Sequence, residues 1–451
     1  MTYSLAPARP LPAVKPDGLG ASLAILLLLA LTTPLVFSIG PLRLSPYRLV
    51  LLTAFAPLLI AFIAGRAGRA TAVDRLVFFA AIWAIVALAA NHGAAAVETG
   101  GVFLLEFLGG YLVGRVCIRS PRAFARLGRA HFALLLALLP FAAVEAFTGR
   151  APLIELFDLI GRSFDNHFQT ARLGLERAQV VFEHPILYGV FAMSGVGLMA
   201  HLWRGSPVKG AFAYLAACLS VLFSVSTGAI VGLAVQTFAI GWDRALRAVK
   251  ARWKILLAVG IAAYFAVDAL SNRTPFHVFV DYLTLNSGSA YNRILIFEFG
   301  AAEVARHPVF GIGHGDWTRP AWMSDSFDNF WLLNAMRYGL PMAIALIAAI
   351  AILIRRVARR SFRDGAARAC QAGYLTSVAG LIVAGATVHF WNASFVWAMI
   401  LIGAGVWMVD YRDDGEEGPR AMVPKSPPAP HRSLGRERRA PSRRNRTLRD
   451  G

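Results

Sequence analysis

About twelve apolar stretches, each long enough to cross a bilayer, fill the chain from Ala21 to Asp410, and only two of the connections between them are long. A transmembrane helix needs roughly 20 apolar residues to cover the hydrocarbon core. Ala21 to Gly40, Leu332 to Ile354 and Gly373 to Val388 meet that need with Arg337 as their single Lys, Arg, Asp or Glu. Lipid offers no partner to a backbone that leaves regular structure, so such spans must be helices. The expected fold is therefore an all-α polytopic membrane protein. Its spans fall at about 21–40, 48–65, 75–91, 98–116, 131–147, 186–203, 209–224, 227–241, 253–270, 331–354, 370–388 and 393–410. A membrane domain over 21–410 would then stand between a short N-terminal segment, 1–20, and a tail, 411–451.

The chain is 57% hydrophobic and 16% charged, where soluble proteins run near ~25% charged. Its net charge of +19 does not point to nucleic acid, because the basic residues sit in short loops and in the tail. Cys117, Cys218 and Cys370 lie in or beside apolar stretches and form no close-spaced motif, which argues against a disulfide framework or a metal site. Met1 to Gly20 carries four prolines and little apolar run, so the first span is expected to serve as its own insertion signal.

Orientation follows from the basic residues. One set of loops holds Arg66 and Arg69, then Arg115 to Arg129, Arg204 and Lys209, Arg244 to Arg252, and Arg355 to Arg368. The connections near Asn91 to Glu98, Ser224 to Thr227 and Phe390 to Asn392 carry no Lys or Arg. The positive-inside rule makes the Arg-rich side cytoplasmic. Both termini are then expected inside, with the two long loops, 148–185 and 271–329, facing outward. The tail opens acidic, passes through Pro424 to Pro430 and ends in basic residues; with almost no apolar side chains it reads as disordered.

Chemistry with water-soluble groups belongs where the long loops meet the bundle. The first loop carries Arg162, Arg172, Arg177, Glu183 and His184 and runs straight into a span. Arg177 and His184 are seven residues apart, so on a helix they would share a face. Pro185 is tolerated in a first helical turn, which puts His184 at or beside an N-cap. In the second loop, Ile294, Phe297, Ala301 and Val304 have the spacing of a helix lying with one face on the bilayer or the bundle. His307 to His314 breaks that helix with a glycine-bearing turn, and Asp325 or Asp328 can cap the span that follows.

In order and wording, the stretch from Arg172 to Gly339 resembles the bacterial O-antigen ligase and O-antigen or exopolysaccharide polymerase (Wzy-like) family. Arg177 followed by His184-Pro185 is similar to the family's arginine and His-Pro pair at the head of a span. Ser224-Val-Ser-Thr-Gly228 is similar to its Ser-rich segment, with Thr227 where an Arg is usual. Arg293 ahead of Pro308-Val-Phe-Gly-Ile-Gly313 resembles the arginine preceding a Pro-x-x-Gly-x-Gly turn. Asp328-Asn-Phe-Trp-Leu332 stands where ligases carry a histidine, and an Asp-Asn pair there resembles polymerases.

The resemblance implies a GT-C-like glycosyltransferase of the bacterial inner membrane that polymerises undecaprenyl-diphosphate-linked oligosaccharide repeat units at the periplasmic face. The ligase variant would deliver the glycan to lipid A-core. Implied partners are the lipid-linked donor and acceptor, membrane lipids, and a flippase and chain-length or export proteins. A guanidinium suits the charge that develops on a diphosphate leaving group, so Arg177, Arg293 and Arg172 are the candidate clamp. The incoming hydroxyl needs a base, for which Asp328 is the first candidate and His184 and His314 the others. There is no P-loop, no Gly-rich nucleotide fingerprint and no Asp-x-Asp pair in either outer loop, which suits a lipid-linked donor and transfer without a metal or cofactor. A transporter is the competing class; of Glu106, Glu145, Asp268 and Arg337, only Glu106 and Arg337 lie where they would mark a midplane site.

Overall fold

The computed structural model describes residues 18–39, 42–164, 171–203, 205–272, 274, 278 and 287–411. The expected disordered tail lies outside the described residues apart from Tyr411, as do the first 17 residues and most of the chain between Leu270 and Ser287.

The described chain is mostly helical. In order it forms α1 (Gly18–Leu31), a hairpin of β1 (Phe37–Ile39) and β2 (Leu42–Leu44), α2 (Pro46–Ile63), α3 (Ala72–His92), α4 (Ala96–Leu104), α5 (Gly110–Leu112), α6 (Pro121–Thr148) and α7 (Pro152–Asp158). Then follow α8 (Pro185–Leu202), α9 (Pro207–Phe223), α10 (Thr227–Ala245), α11 (Arg252–Leu270) and α12 (Ser287–Arg306). The chain closes with α13 (Phe330–Tyr338), α14 (Leu340–Arg359), α15 (Gly365–Gly385), α16 (Asn392–Gly405) and α17 (Trp407–Asp410). Among the described residues, seven helical stretches are long and apolar enough to cross a membrane: Pro46–Ile63, Ala72–Cys117, Pro121–Thr148, Pro185–Leu202, Arg252–Leu270, Leu340–Arg359 and Asn392–Asp410. Gly20–Leu31 and Pro207–Phe223 are apolar but shorter.

Two expected spans differ from the helices found. The stretch 21–40 stays helical only to Leu31, because Pro34 has no N–H to donate and disfavours helix in the residue before it. Thr32 and Thr33 turn their hydroxyls back onto the Leu29 carbonyl at 3.0 Å, and the chain enters the Phe37–Leu44 hairpin. The stretch 331–354 is two helices broken at Gly339, which has φ +82° and is followed by Leu340-Pro341.

That break is braced by the glycine turn of the second loop. Ile312 and Gly313 donate backbone N–H bonds of 2.8 and 2.9 Å to the Met336 and Arg337 carbonyls at the end of α13, and Leu340 donates to Pro308 at 2.8 Å. Gly311 and Gly313 have positive φ, and a Cβ on Gly339 would overlap the Val309 carbonyl. Gly339→Ala is therefore expected to lower the melting temperature in detergent, since the backbone strain alone costs about 1–3 kcal/mol. An unchanged melting curve would mean the break relaxes elsewhere.

α8 and α16 form the centre of the bundle, with nearly every side chain buried. α16 packs on α5 and on the π-helical turns Leu105–Gly109 and Val113–Cys117. Small residues allow that approach, since a Cβ on Gly114 would overlap the Ile400 carbonyl. α11 has no buried residue although it is apolar on all sides. A helix of that kind needs apolar surroundings.

Candidate functional site

A cavity of about 400 Å³ opens where several helix ends meet. Arg172, Arg177, His184, Arg293 and Asp328 all line it, joined by Ser226, Thr227, His389 and Trp391. The residues come from the connection before α8, the start of α10, α12, the start of α13 and the connection between α15 and α16.

Arg177 is held by its backbone neighbours and not by a helix. The segment Glu176 to His184 is non-helical, and Val180 takes φ +59°. Glu176 donates to the Ala146 carbonyl at 2.9 Å and Ala178 to that of Phe223 at 3.0 Å. Gln179 and Val180 both donate to the buried Glu145 carboxylate, each at 2.9 Å. Glu145, one of the ionisable residues weighed for a transporter, thus anchors the loop that presents Arg177. Glu145→Leu leaves two buried N–H groups without an acceptor, each costing about 1–3 kcal/mol. We expect it to raise protease cleavage between Arg172 and Glu183 and to lower activity; intact protection would show that the Ala146 and Phe223 contacts suffice.

Arg293 lies on the buried side of α12. The buried stripe is Arg293, Ile296, Gly300 and Val304, whereas Phe297 is exposed. A Cβ on Gly300 would come within 2.6 Å of the Phe327 ring and 2.9 Å of Leu332, so α12 packs closely against these side chains on the same face as Arg293. Its Nε donates to the Thr387 carbonyl at 2.9 Å.

His184 is the N-cap of α8: its Nδ1 accepts from the Ile186 N–H at 3.1 Å. The neutral ring must then carry its proton on Nε2, which makes it a donor and a poor base. Neither Asp325 nor Asp328 caps α13. Asn329 does, its Oδ1 accepting from Leu332 N–H at 3.0 Å. Asp328 is thereby left to the cavity. Burial raises its carboxyl above the ordinary value of 3.8, while Arg293, Arg177 and Arg172 pull the other way. Burial, then the neighbouring Arg172, lowers Arg177 to about 10, and burial also lowers Arg293. Three guanidiniums thus share the cavity with one carboxylate.

His314, the third candidate base, is not in this cavity. It lines a neighbouring one, and its backbone N–H donates to His92 Nε2 at 2.8 Å. Burial, then Arg337 and His92, lowers its imidazole to about 4.

Four buried polar atoms that line the first cavity have no hydrogen-bond partner among the described residues: Arg172 Nε, Ser226 Oγ, Thr227 Oγ1 and His389 Nδ1. Ser226 and Thr227 stand at the N-terminus of α10, where helix N–H groups and dipole favour negative charge. Buried polar groups are normally paired, so this concentration suits a polar anionic ligand. His389 and Trp391 escaped the sequence reading. Their signal lay in the run Val388-His-Phe-Trp-Asn392, which puts polar and aromatic residues in one of the short connections bare of Lys and Arg. Among the described residues, no group of three His, Cys, Asp or Glu side chains is arranged to hold a metal ion. No protein-family model and no curated protein matches the chain.

Proposed function

We propose that the protein is a membrane glycosyltransferase that joins lipid-diphosphate-linked oligosaccharide repeat units into a polysaccharide. The observation that carries this reading is the gathering of Arg172, Arg177 and Arg293 around one half-buried carboxylate, Asp328, beside unpaired hydroxyls at a helix N-terminus. An acceptor hydroxyl attacks the anomeric carbon of the donor glycan and the bond from that carbon to the diphosphate oxygen breaks. The electron pair stays on the diphosphate, where the arginines stabilise it, and the hydroxyl proton passes to Asp328. Preorganised donors aimed at developing charge are worth about 2.7–4 kcal/mol each. Arg177 and Arg293, both at least nine-tenths buried, are fixed in advance for that purpose.

The same reading takes the chain as a GT-C-like enzyme of the bacterial inner membrane with twelve spans: the seven long apolar stretches, of which Ala72–Cys117 covers two, together with α1, α9, α10 and α15. Both termini are then cytoplasmic and the cavity periplasmic. Cysteine labelling of intact cells at Tyr291 and at Ser361 should mark only the first; labelling at Ser361 alone would reverse the orientation. Asp328 in place of a histidine favours polymerase over ligase. The deciding experiment is to delete the gene and size the glycans. Loss of a polymerase leaves single repeat units, loss of a ligase leaves long chains on the carrier lipid, and unchanged glycans reject both.

A further inference from the structure

His389 and Trp391 also border the second cavity, of about 180 Å³. Its character differs from the first. Phe103, Phe330 and Phe395 supply ring faces, while Asn334, Arg337 and the Glu106–Arg48 pair supply hydrogen-bonding groups. Glu106 lies in a π-helical turn and accepts from Tyr47 at 2.9 Å and from Arg48 at 2.8 Å; Arg48 also donates to Asn392 at 3.2 Å. The two residues that a transporter reading sets at the midplane, Glu106 and Arg337, thus belong to this one cavity.

Arg48 and Val102 border a third space as well, a largely apolar groove of about 940 Å³ between α2 and α4. Its walls include Leu52 and Val97, which are 59% and 78% exposed. Groove, second cavity and arginine cavity therefore lie next to one another in that order, each bordered by side chains it shares with the next. Each section matches a different chemistry. Ring faces take the C–H face of a sugar, amide and charged groups take its hydroxyls, and the groove takes an apolar chain. The Arg48 guanidinium stands at the junction, where a phosphate linking chain to sugar would pass.

We propose that the groove and second cavity seat the acceptor, a sugar joined through phosphate to a long apolar chain, and present its hydroxyl past Trp391 to Asp328. This rests on the glycan-transfer reading above. The charge-paired Glu106 then serves as a structural and sugar-binding group in place of an ion carrier.

The test uses the full-length protein in nanodiscs. Gly101 lines the groove with nothing within 4 Å of an added Cβ, so Gly101→Phe obstructs the groove without disturbing the helix. Asn334→Leu keeps the branched heavy-atom shape and removes a polar group from the sugar cavity. Transfer is measured with a long-chain lipid-linked donor and a single-repeat lipid-linked acceptor varied separately. Both variants should raise the acceptor KM about tenfold, the equivalent of one buried hydrogen bond or a displaced chain, and leave the donor KM as it was. A raised donor KM with an unchanged acceptor KM would place the donor there and overturn the assignment. So would two variants indistinguishable from the wild type.

A second measurement separates this proposal from the reading beneath it. A photoreactive group at Leu52 should crosslink to undecaprenyl diphosphate carrying one sugar, and Gly101→Phe should suppress the adduct. If that holds while the wild type transfers no glycan, the amphiphile site stands and the glycosyltransferase reading falls. If transfer proceeds and Leu52 captures no lipid, the groove assignment falls.

Discussion

Arg177→Ala and Arg293→Ala should each abolish polymer while protein level in the membrane stays near normal. Each removes a guanidinium from a cavity that already holds two others, so the loss falls on the stabilisation of leaving-group charge. Relief of repulsion among the three arginines should offset part of the folding cost, because Arg172 depresses the pKa of both. Loss of one preorganised donor corresponds to about 10²–10³ in kcat. Lysine at either position should restore little, since it brings charge without the fork that grips two oxygens at once. At position 293 it also loses the Nε–H bond to Thr387 that aims the side chain. Polymer of full length from both alanine variants would refute the clamp.

The second large effect is expected at Asp328. With Asn329 capping α13, Asp328→Asn should leave the helix start intact and act on chemistry alone. The variant should insert normally, retain donor lipid and accumulate unpolymerised repeat units; Asp328→His should keep part of the activity. Stability gives an independent check. Burial raises the Asp328 pKa, so its favourable linkage to folding is present below the ordinary value of 3.8 and is lost as pH rises through the raised one. At neutral pH the asparagine variant should therefore be at least as stable as the wild type while inactive. The wild-type rate should fall on the acid side as Asp328 takes up its proton, at a pH above 3.8. Wild-type polymer from Asp328→Asn would end its role as base. Suspicion would pass to His389, whose buried Nδ1 has no hydrogen-bond partner among the described residues.

Helix positions were largely legible, because a membrane-scale apolar run has few alternatives to helix. Breaks inside such runs were harder to see. Pro34 and the Gly339-Leu-Pro341 step were visible as residues, but whether proline ends a helix or only bends it depends on what satisfies the freed backbone groups. For Gly339 that partner is the Pro308–Gly313 turn, more than twenty residues away in sequence. Arg177 and His184 do meet in one cavity, yet through a turn at Val180 and not along a helix. The apolar spacing of α12 left open whether its apolar face meets lipid or the bundle; the structure buries Arg293 and Ile296 and exposes Phe297, and apolar spacing alone does not show a charged residue turned inward. His314 looked equivalent to His184 in sequence; it diverges because its loop docks on His92 and on the end of α13.

The burial of α8 and α16 has a mechanical consequence. His184 heads one of these helices and Trp391 the other, and neither helix has an exposed side to respond to a change in bilayer thickness. Mismatch is absorbed by tilting or bending where neighbours permit it, which here means peripheral helices such as α11. The geometry of the cavity should thus be insulated from the lipid composition around it.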